Sequence, residues 1–237
     1  MATKLDRPCV VWSLDNLPYL QALDLQRRLV TARAQGHDTR DQLLFAEHPP
    51  VLTMGKHVRE PNLLVDEQFL QQKGLSVHRA DRGGDITYHG PGQWVAYPII
   101  HLGQSHLSVP AFVGKLEEVM KETAFSFGIH AVAHQRGPGI WIGSRKVGSV
   151  GIAIRRSVTF HGLALNVNSK CLMPFQWIVP CGLQGITMAS LSQAAGRPLK
   201  MRQVKAAMEK AFVNVFGWRL IQAAIPKEGE GTVHAIS

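Results

Sequence analysis

The chain has 237 residues, of which 45% are hydrophobic, and it carries a formal net charge of +9. This length allows one large domain or one domain with a small appendage, and no run of about 18 apolar residues is present that could form a transmembrane helix. The positive charge suits an acidic partner, but no Lys/Arg block with interleaved aromatic residues indicates nucleic-acid binding.

The first hundred residues predict several strands around one helix. From Pro18 to Ala34, apolar side chains recur near helical spacing, and Gly36 suits a left-handed helix end. Strand patterns are found at residues 9–14, in two short segments within 42–55 that Pro49 and Pro50 separate, at residues 75–80, at residues 85–89 and at residues 94–100.

The second half of the chain predicts two more helices and three strands. The helices are expected over residues 109–126 and 199–216, and the strands over 139–143, 147–154 and 158–167, with a hairpin bend at Arg155 and Arg156. Strands and helices mix without a strict βαβ alternation, which predicts an α+β fold. Residues 1–225 are expected to form a single domain and residues 226–237 a flexible tail.

The cysteine content predicts a reducing compartment. Cys9, Cys171 and Cys181 are too few, and odd in number, for a disulfide framework, and the N-terminus shows no signal peptide. No cysteine has a partner at zinc-ligand spacing and the histidines are scattered, so no metal is expected. The sequence therefore predicts a cytoplasmic protein with free thiols and without a cofactor.

A glycine-rich segment, RGGDITYHGPGQ at residues 82–93, directly precedes the apolar run that starts at Trp94. Glycine permits positive φ angles and lets the backbone approach a ligand closely. The segment therefore fits either a sharp corner in a sheet or a ligand-binding loop, in which Arg82 supplies a fixed charge and Tyr88 and His89 supply polar side chains. It is not a P-loop, because the pattern GxxxxGK[ST] is absent.

Two further segments carry reactive side chains in unusual surroundings. Lys146 lies between glycines in the otherwise apolar GSRKVGSVGIAI, where it is either an ordinary surface charge or a cation that acts on a neighbouring group. Cys181 lies between Pro180 and Gly182, a setting that argues against a regular element. It is either a small core residue or a turn cysteine placed to form a thiolate near backbone N–H groups.

Together these segments resemble the lipoyl(octanoyl) transferases. The motifs RGGDITYHGPGQ, RKVGSVGIAI, VTFHGLALNV and PCGL occur in the order and approximate spacing of that family, and EHPPVLTMG and ITMASL match as well. The resemblance runs from about residue 5 to about residue 217. It implies the fold of the biotin/lipoate ligase catalytic domain, with mixed β-sheets and packed helices, which agrees with the α+β prediction.

The resemblance also implies an acyl transfer that needs no cofactor. Similar proteins move an octanoyl group from octanoyl-acyl carrier protein to one lysine of a lipoyl domain, as in 2-oxoacid dehydrogenases, or of the glycine cleavage H protein. This transfer begins the synthesis of the lipoate cofactor. By resemblance, Cys181 is the nucleophile that carries the acyl group as a thioester, and Lys146 favours its thiolate and can take the proton of the acceptor amine.

The acyl pocket of the family corresponds to three segments of this chain. Small residues there suit a narrow channel for a straight eight-carbon chain, and Tyr88 and His89 are expected to line or close the site. A basic rim is expected to attract acidic carrier proteins and lipoyl domains. The resemblance assigns substrate binding to Arg82, Gly83, Gly84, Asp85, Ile86, Thr87, Tyr88, His89, Ser149, Val150, Gly151, Gly162, Leu163 and Ala164.

Three alternatives stay open at the level of the sequence. An ATP-dependent lipoate or biotin ligase on the same fold would need adenylate binding and would not need Cys181. A non-catalytic module would only hold acyl carrier protein or a lipoyl domain, which the presence of both Lys146 and Cys181 argues against. An unrelated thiol hydrolase would need a histidine near Cys181, for which His89 and His161 are available.

Overall fold

The structure, a computed structural model, describes residues 7–59 and 62–223. Within these ranges nine strands form one mixed sheet, three strands form a second sheet, and helices pack on the large sheet, so the α+β prediction is confirmed. The predicted flexible tail, residues 226–237, lies outside the described residues. In the same two ranges, no helix is long and apolar enough to cross a membrane.

The predicted strands and helices lie close to their expected positions, and two helices and three strands are present that the sequence analysis did not predict. In chain order the strands are β1 (Arg7–Asp15), β2 (Asp41–Glu47), β3 (Val51–Met54), β4 (Ser76–Arg79), β5 (Ile86–His89), β6 (Gln93–Ile99), β7 (Val132–Ala133), β8 (Gly139–Ile142), β9 (Arg145–Arg155), β10 (Val158–Asn166), β11 (Thr187–Met188) and β12 (Trp218–Ala223). The helices are α1 (Tyr19–Ala34), α2 (Glu67–Gln72), α3 (Val109–Phe125), α4 (Leu191–Ala194) and α5 (Met201–Phe216).

The strand order of the large sheet is β12-β1-β2-β6-β10-β9-β8-β7, and β11 pairs with β9 outside this path. β1 runs parallel to β2 and β12, whereas β2, β6, β10, β9, β8 and β7 pair antiparallel in succession. The small sheet has the order β4-β3-β5. The two strands that flank Pro49 and Pro50 therefore belong to different sheets, and the chain crosses between the sheets at these prolines.

Alternating side chains of the large sheet build two cores. On β1, Cys9 and Val11 join the cluster that includes α3 and α5, whereas Val10 and Trp12 join the cluster that includes α1. The same alternation continues in β2, β6 and β10. Because successive strand residues face opposite sides, and both sides are covered, these central strands read as nearly continuous apolar runs in the sequence.

The helix ends agree with the local sequence. Pro18 precedes α1 in an extended conformation, and the Ser108 side chain caps α3 by accepting the Ala111 N–H at 3.3 Å. α5 ends at Gly217, whose φ of 71° lies in the left-handed region that glycine adopts readily. The start of α3 and the end of α5 therefore lie at residues suited to these positions.

Besides α2, α4, β7 and β11, which the sequence analysis does not predict, two larger details of the fold differ from the sequence-based expectations. The hairpin between β9 and β10 bends at Arg156 and Ser157, one residue later than expected. Both have positive φ angles, of 49° and 62°, as a two-residue hairpin turn with the twist of its strands requires. The motifs also predict no strand at Trp218–Ala223, which forms β12 because β1 offers a parallel partner.

Candidate active site

A cavity lies between the two sheets, on the α1 side of the large sheet. It has a volume of about 140 Å³, and its walls come from β5, β6, β9 and β10, from the first residue of α1 and from the turn that carries Cys181. Val95, Tyr97 and Ala164, which line it, belong to the core cluster that includes α1. The glycine-rich segment and the two reactive side chains singled out in the sequence therefore meet at one place.

Most of the residues that the resemblance assigns to the site line this cavity. They are Arg82, Gly83, Gly84, Asp85, Thr87, His89, Lys146, Ser149, Val150, Gly151, Gly162, Leu163, Ala164 and Cys181. Two glycines of the cavity wall lie close to neighbouring atoms, so that a side chain at either position would be crowded. A Cβ on Gly162 would overlap with the carbonyl group of Ala96, and one on Gly151 would lie 3.1 Å from Cδ of Arg82.

Ile86 and Tyr88 are not among the cavity-lining residues, which corrects the expectation that both bind substrate and that Tyr88 lines or closes the site. They lie on β5, where successive side chains point to opposite faces of the small sheet. Thr87 and His89 face the cavity, whereas Ile86 and Tyr88 pack in a separate apolar cluster with Leu52. A contiguous motif therefore contributes only every second side chain to the site.

The backbone of the Cys181 turn is held in a specific conformation. Cys181 has a φ of 57°, in the left-handed region, and its side chain is half-buried. Before the turn, the Val179 N–H donates to the carbonyl oxygen of Asn62 at 2.8 Å. After it, Gly182 lies against Asp85, whose Oδ2 accepts a 2.6 Å hydrogen bond from the Asn62 amide. The turn is thereby tied to the glycine-rich segment.

Lys146 approaches Cys181 from the large sheet. Its Nζ lies 3.8 Å from Sγ of Cys181, and Oγ of Ser149 lies 3.7 Å from the same sulfur. The side chain of Lys146 is 2% exposed, and its Nζ also lies 5.6 Å from the centre of the Trp141 ring. Among the described residues no carboxylate lies within ion-pair distance of Lys146. The sulfur is therefore its nearest candidate counter-ion.

Arg82 is a second buried cation at the cavity. Its guanidinium donates to the carbonyl and the hydroxyl oxygen of Thr53, at 2.6 and 2.8 Å, and to the carbonyl oxygen of Gly83 at 3.1 Å. Burial lowers the pKa of Arg82, and a negative charge on Cys181 acts in the opposite direction. Arg82 and Lys146 thus form a positive environment for an anionic sulfur.

The two histidines considered as partners for the thiol are both neutral side chains of the cavity wall. Burial lowers the pKa of His89 and of His161 to about 3. Nδ1 of His89 is hydrogen-bonded to Oε1 of Gln93 at 2.7 Å, and Nε2 of His161 has no hydrogen-bond partner in the described part of the chain. The recorded polar contacts of Cys181 are with Lys146 and Ser149, so the geometry favours a lysine as its partner.

Several further residues line the cavity that the sequence analysis did not assign to substrate binding, although two of them, His161 and Leu183, lie within the motifs VTFHGLALNV and PCGL. They are Tyr19, Val95, Tyr97, Arg136, Gly137, Pro138, His161, which was considered only as a thiol partner, and Leu183. The loop Arg136-Gly137-Pro138 carries the same glycine, proline and arginine signal as the segment after Arg82, and could have been found in the same way. Tyr19 and Tyr97 lie inside a regular helix and strand, so only the tertiary structure identifies them. In residues 7–59 and 62–223, no group of three metal-ligating side chains is present.

Gly182 is predicted to reject a side chain. Its φ is 70°, and a Cβ there would lie 2.7 Å from Oδ2 of Asp85. We expect Gly182→Ala to lower the free energy of unfolding, measured in urea, by roughly 1–3 kcal/mol more than Gly185→Ala does. Gly185 is a matched control, since its φ is 69° and a Cβ would meet nothing within 4 Å. Equal losses in the free energy of unfolding of the two variants would show that the contact with Asp85 does not stabilise the Cys181 turn.

Comparison with known proteins identifies relatives over most of the chain. Residues 18–213 match the family model described as lipoyl protein ligase A/B catalytic domain. An octanoyltransferase of Desulfotalea psychrophila is 44% identical over 201 residues, which cover 84% of this chain and 90% of the relative. A mitochondrial octanoyltransferase of Arabidopsis thaliana is 39% identical over 199 residues and 84% of each chain.

Solved structures show the same fold at low sequence identity. Protein Ta0514 of T. acidophilum, determined with bound lipoic acid, superposes with a TM-score of 0.69 at 14% identity, over 94% of this chain and 91% of that one. A lipoate-protein ligase A structure with bound ATP gives a TM-score of 0.70, also at 14% identity, over 94% and 90% of the two chains. At this identity the likeness concerns the fold, and the chemistry has to be argued from the cavity.

Proposed function

The chain belongs to the lipoyl protein ligase A/B catalytic domain family and is an octanoyltransferase, and we propose that it carries the octanoyl group as a thioester on Cys181. One observation supports this mechanism above all others. Lys146, a buried cation without a carboxylate partner among the described residues, points at the sulfur of Cys181 on the wall of the cavity. The rest of the proposal follows from this pair.

In the first step, the thiolate of Cys181 attacks the carbonyl carbon of the octanoyl thioester. A bond forms between that carbon and Sγ, the bond to the donor sulfur breaks, and the donor leaves as a thiol with a proton from the ammonium group of Lys146. A free thiol has a pKa of about 8.5, so little thiolate exists at neutral pH without help. The nearby charges of Lys146 and Arg82 supply that help.

In the second step, the neutral amine of the acceptor lysine attacks the acyl-enzyme. The amide bond forms, the bond to Sγ breaks, and the amine loses its proton to the neutral amine that Lys146 became in the first step. The ammonium and thiolate pair is thereby restored, and the cycle needs no ATP and no redox partner. A free lysine has a pKa of about 10.4, so only a small fraction of the acceptor is the neutral amine that attacks, and Lys146 assists by accepting the proton that this amine loses as the amide forms.

The alternatives differ from this proposal in the partner that they require. A thiol hydrolase needs a histidine at the sulfur, whereas the recorded polar contacts of Cys181 are with Lys146 and Ser149. An ATP-dependent ligase does not require a thiol beside a buried lysine, and a non-catalytic module requires neither group. The Lys146–Cys181 contact therefore favours acyl transfer over each of them.

Octanoyl-acyl carrier protein is proposed as the donor, and lipoyl domains together with the glycine cleavage H protein as acceptors. Both kinds of partner tend to be acidic, and the net charge of +9 would steer them to the protein in a salt-dependent way. The three cysteines are free thiols. A mechanism through a free thiolate suits a reducing compartment such as the cytoplasm, which we propose as the place of action.

Intact-mass spectrometry tests the proposed function directly. The protein is mixed with octanoyl-acyl carrier protein in the absence of ATP, and a lipoyl domain is then added. We expect a single octanoyl adduct on the protein, followed by its loss as the lipoyl domain gains the same mass. If the lipoyl domain were modified only when free octanoate and ATP were supplied, the ligase alternative would be correct and the thioester proposal wrong.

Gly151 is predicted to control the length of the acyl chain. A valine at this position would press on Arg82 and on the carbonyl oxygen of Gly83, which a Cβ would approach to 3.1 and 3.5 Å. We expect Gly151→Val to lower kcat/KM for octanoyl donors by about 10-fold or more relative to hexanoyl donors. Gly114→Ala, on α3 where a Cβ meets nothing within 4 Å, should leave the ratio unchanged. An unchanged ratio in Gly151→Val would contradict this placement of the chain.

A further inference from the structure

The cavity has a polar region far from Cys181. Ser149, which contacts the sulfur, pairs with Ala164 in the ladder between β9 and β10, whereas His161 pairs with Ile152, three residues farther along β9. Three residues of an antiparallel strand span about 10 Å. This is close to the length of an extended eight-carbon chain, so an octanoyl group that runs along this ladder from Cys181 toward Ile152 would bring its last carbon near His161.

Two polar atoms in this region lack hydrogen-bond partners. The hydroxyl group of Tyr19 and Nε2 of His161 are buried without a partner among the described residues, and both side chains line the cavity. Their residues are 4% and 2% exposed. A buried polar group without a partner is costly and rare, so a cavity occupant that offers one hydrogen-bonding atom would be stabilised here.

Ring contacts hold the two groups in one cluster. The ring centres of Tyr19 and His48 are 5.9 Å apart, those of His48 and Tyr97 are 5.9 Å apart, and those of Tyr97 and His161 are 6.4 Å apart. His48 donates from Nδ1 to the carbonyl oxygen of Leu17, so its Nε2 accepts the hydroxyl proton of Tyr97. The hydroxyl group of Tyr97 therefore has a hydrogen-bond partner within the cluster. The hydroxyl group of Tyr19 and Nε2 of His161 are the atoms that can bind an occupant of the cavity.

The backbone of His161 is fixed, and both groups are uncharged near pH 7. His161 has a φ of 55°, and its N–H donates to Oε1 of Gln26 at 2.8 Å. Burial lowers the pKa of His161 to about 3 and raises that of Tyr19 to about 12, and of the charged groups Arg82 acts most strongly on both. The two atoms without partners belong to uncharged side chains and can bind a neutral hydroxyl group, whereas the guanidinium of Arg82 is already bonded to Thr53 and Gly83.

We propose that Tyr19 and His161 form a polar subsite that accepts acyl chains with a hydroxyl group on the last carbon, so that 8-hydroxyoctanoyl donors are substrates beside octanoyl donors. This inference rests on the proposed thioester mechanism. With an octanoyl chain, one water molecule can occupy the subsite, because it finds two polar partners there. With the hydroxylated chain, the hydroxyl group takes the place of that water.

Competition between donors tests the subsite. Acyl carrier protein loaded with octanoyl, 8-hydroxyoctanoyl or octanedioyl groups is mixed with the protein, and kcat/KM for acyl-enzyme formation is measured by intact mass. We expect the wild type to use 8-hydroxyoctanoyl within about tenfold of octanoyl. Tyr19→Phe should lower the ratio of the two values by about tenfold, the effect of one hydrogen bond. His161→Asn, which tolerates the left-handed backbone, should lower it as well.

Tyr88→Phe is the matched control, since it removes a tyrosine hydroxyl from the other face of β5 and should leave the ratio unchanged. A wild type that rejects 8-hydroxyoctanoyl by more than about a hundredfold, as a purely apolar pocket end would, overturns the subsite. The subsite is also overturned if Tyr19→Phe leaves the ratio of the two kcat/KM values unchanged, or if the wild type prefers octanedioyl donors to 8-hydroxyoctanoyl donors. If octanoyl itself formed no adduct, the thioester mechanism would fail instead, so the two failures are distinguishable.

Discussion

Cys181→Ala is expected to lower octanoyl transfer by on the order of 10³-fold or more while the fold stays intact. The variant loses the nucleophile completely, because it lacks the sulfur atom that contacts Lys146 and Ser149. The fold should survive because the side chain is half-buried and alanine tolerates the left-handed backbone about as well as cysteine does. Transfer to a lipoyl domain and the urea unfolding midpoint are the two measurements.

Cys171→Ala is the control for Cys181. Cys171 is fully buried and donates to the carbonyl oxygen of Asn168 at 3.0 Å, and burial raises its pKa to about 12. Its removal should cost stability but leave the octanoyl adduct in place. Near wild-type transfer by Cys181→Ala would refute the covalent mechanism, and loss of the adduct in Cys171→Ala would show that the reactive thiol had been misassigned.

Substitutions of Lys146 should separate its two roles. Lys146→Arg keeps the positive charge but cannot lose a proton in practice. It should therefore retain part of the acyl-enzyme formation from octanoyl-acyl carrier protein and lose onward transfer by about 10²-fold or more, which is the usual contribution of a general base. Lys146→Ala should lose both steps. Lys146→Met, which has a similar length without charge, controls for the packing of the stem against Trp141.

Two measurements follow these variants. The rate of alkylation of Cys181 by iodoacetamide is compared at one fixed pH, and it should fall in Lys146→Ala and Lys146→Met, because a cation beside the sulfur favours the thiolate. Single-turnover transfer from pre-acylated protein isolates the second step. An unchanged alkylation rate in Lys146→Ala would exclude the electrostatic role, and normal single-turnover transfer in Lys146→Arg would exclude the role as a base.

The fold could be predicted where local chemistry dominates. Glycine and proline mark the ends of α1 and of the strands around residues 82–93, and helical spacing of apolar residues identifies α3 and α5. β12 could not be predicted in this way. Its residues Trp218–Ala223 are only partly buried, and the reason they form a strand is the exposed edge of β1. Pairing over such a separation leaves no local pattern in the sequence.

The site was predictable only as far as family motifs reach. Cys181 and Lys146 are 35 positions apart, and no local pattern in the sequence connects them. Only the family resemblance predicted that they act together, and only the structure gives the distance between Nζ and Sγ. The error at Ile86 and Tyr88 arose from treating a contiguous motif as a contiguous surface, although the alternation of strand side chains predicts two faces. Tyr19, on a helix outside every motif, required the tertiary structure, and His161 was considered only as a partner of the thiol.

The pairing of β1 with β12 has a consequence for folding. The first and last described strands are neighbours in the large sheet, so β1 presents an unpaired edge until Trp218–Ala223 has been synthesised. Pairings of such long sequence separation form slowly, because the chain must close a large loop before the contacts can stabilise it. Until that strand is present, the backbone N–H and C=O groups along this edge of β1 have no partner strand, and the edge is open to pairing with another chain.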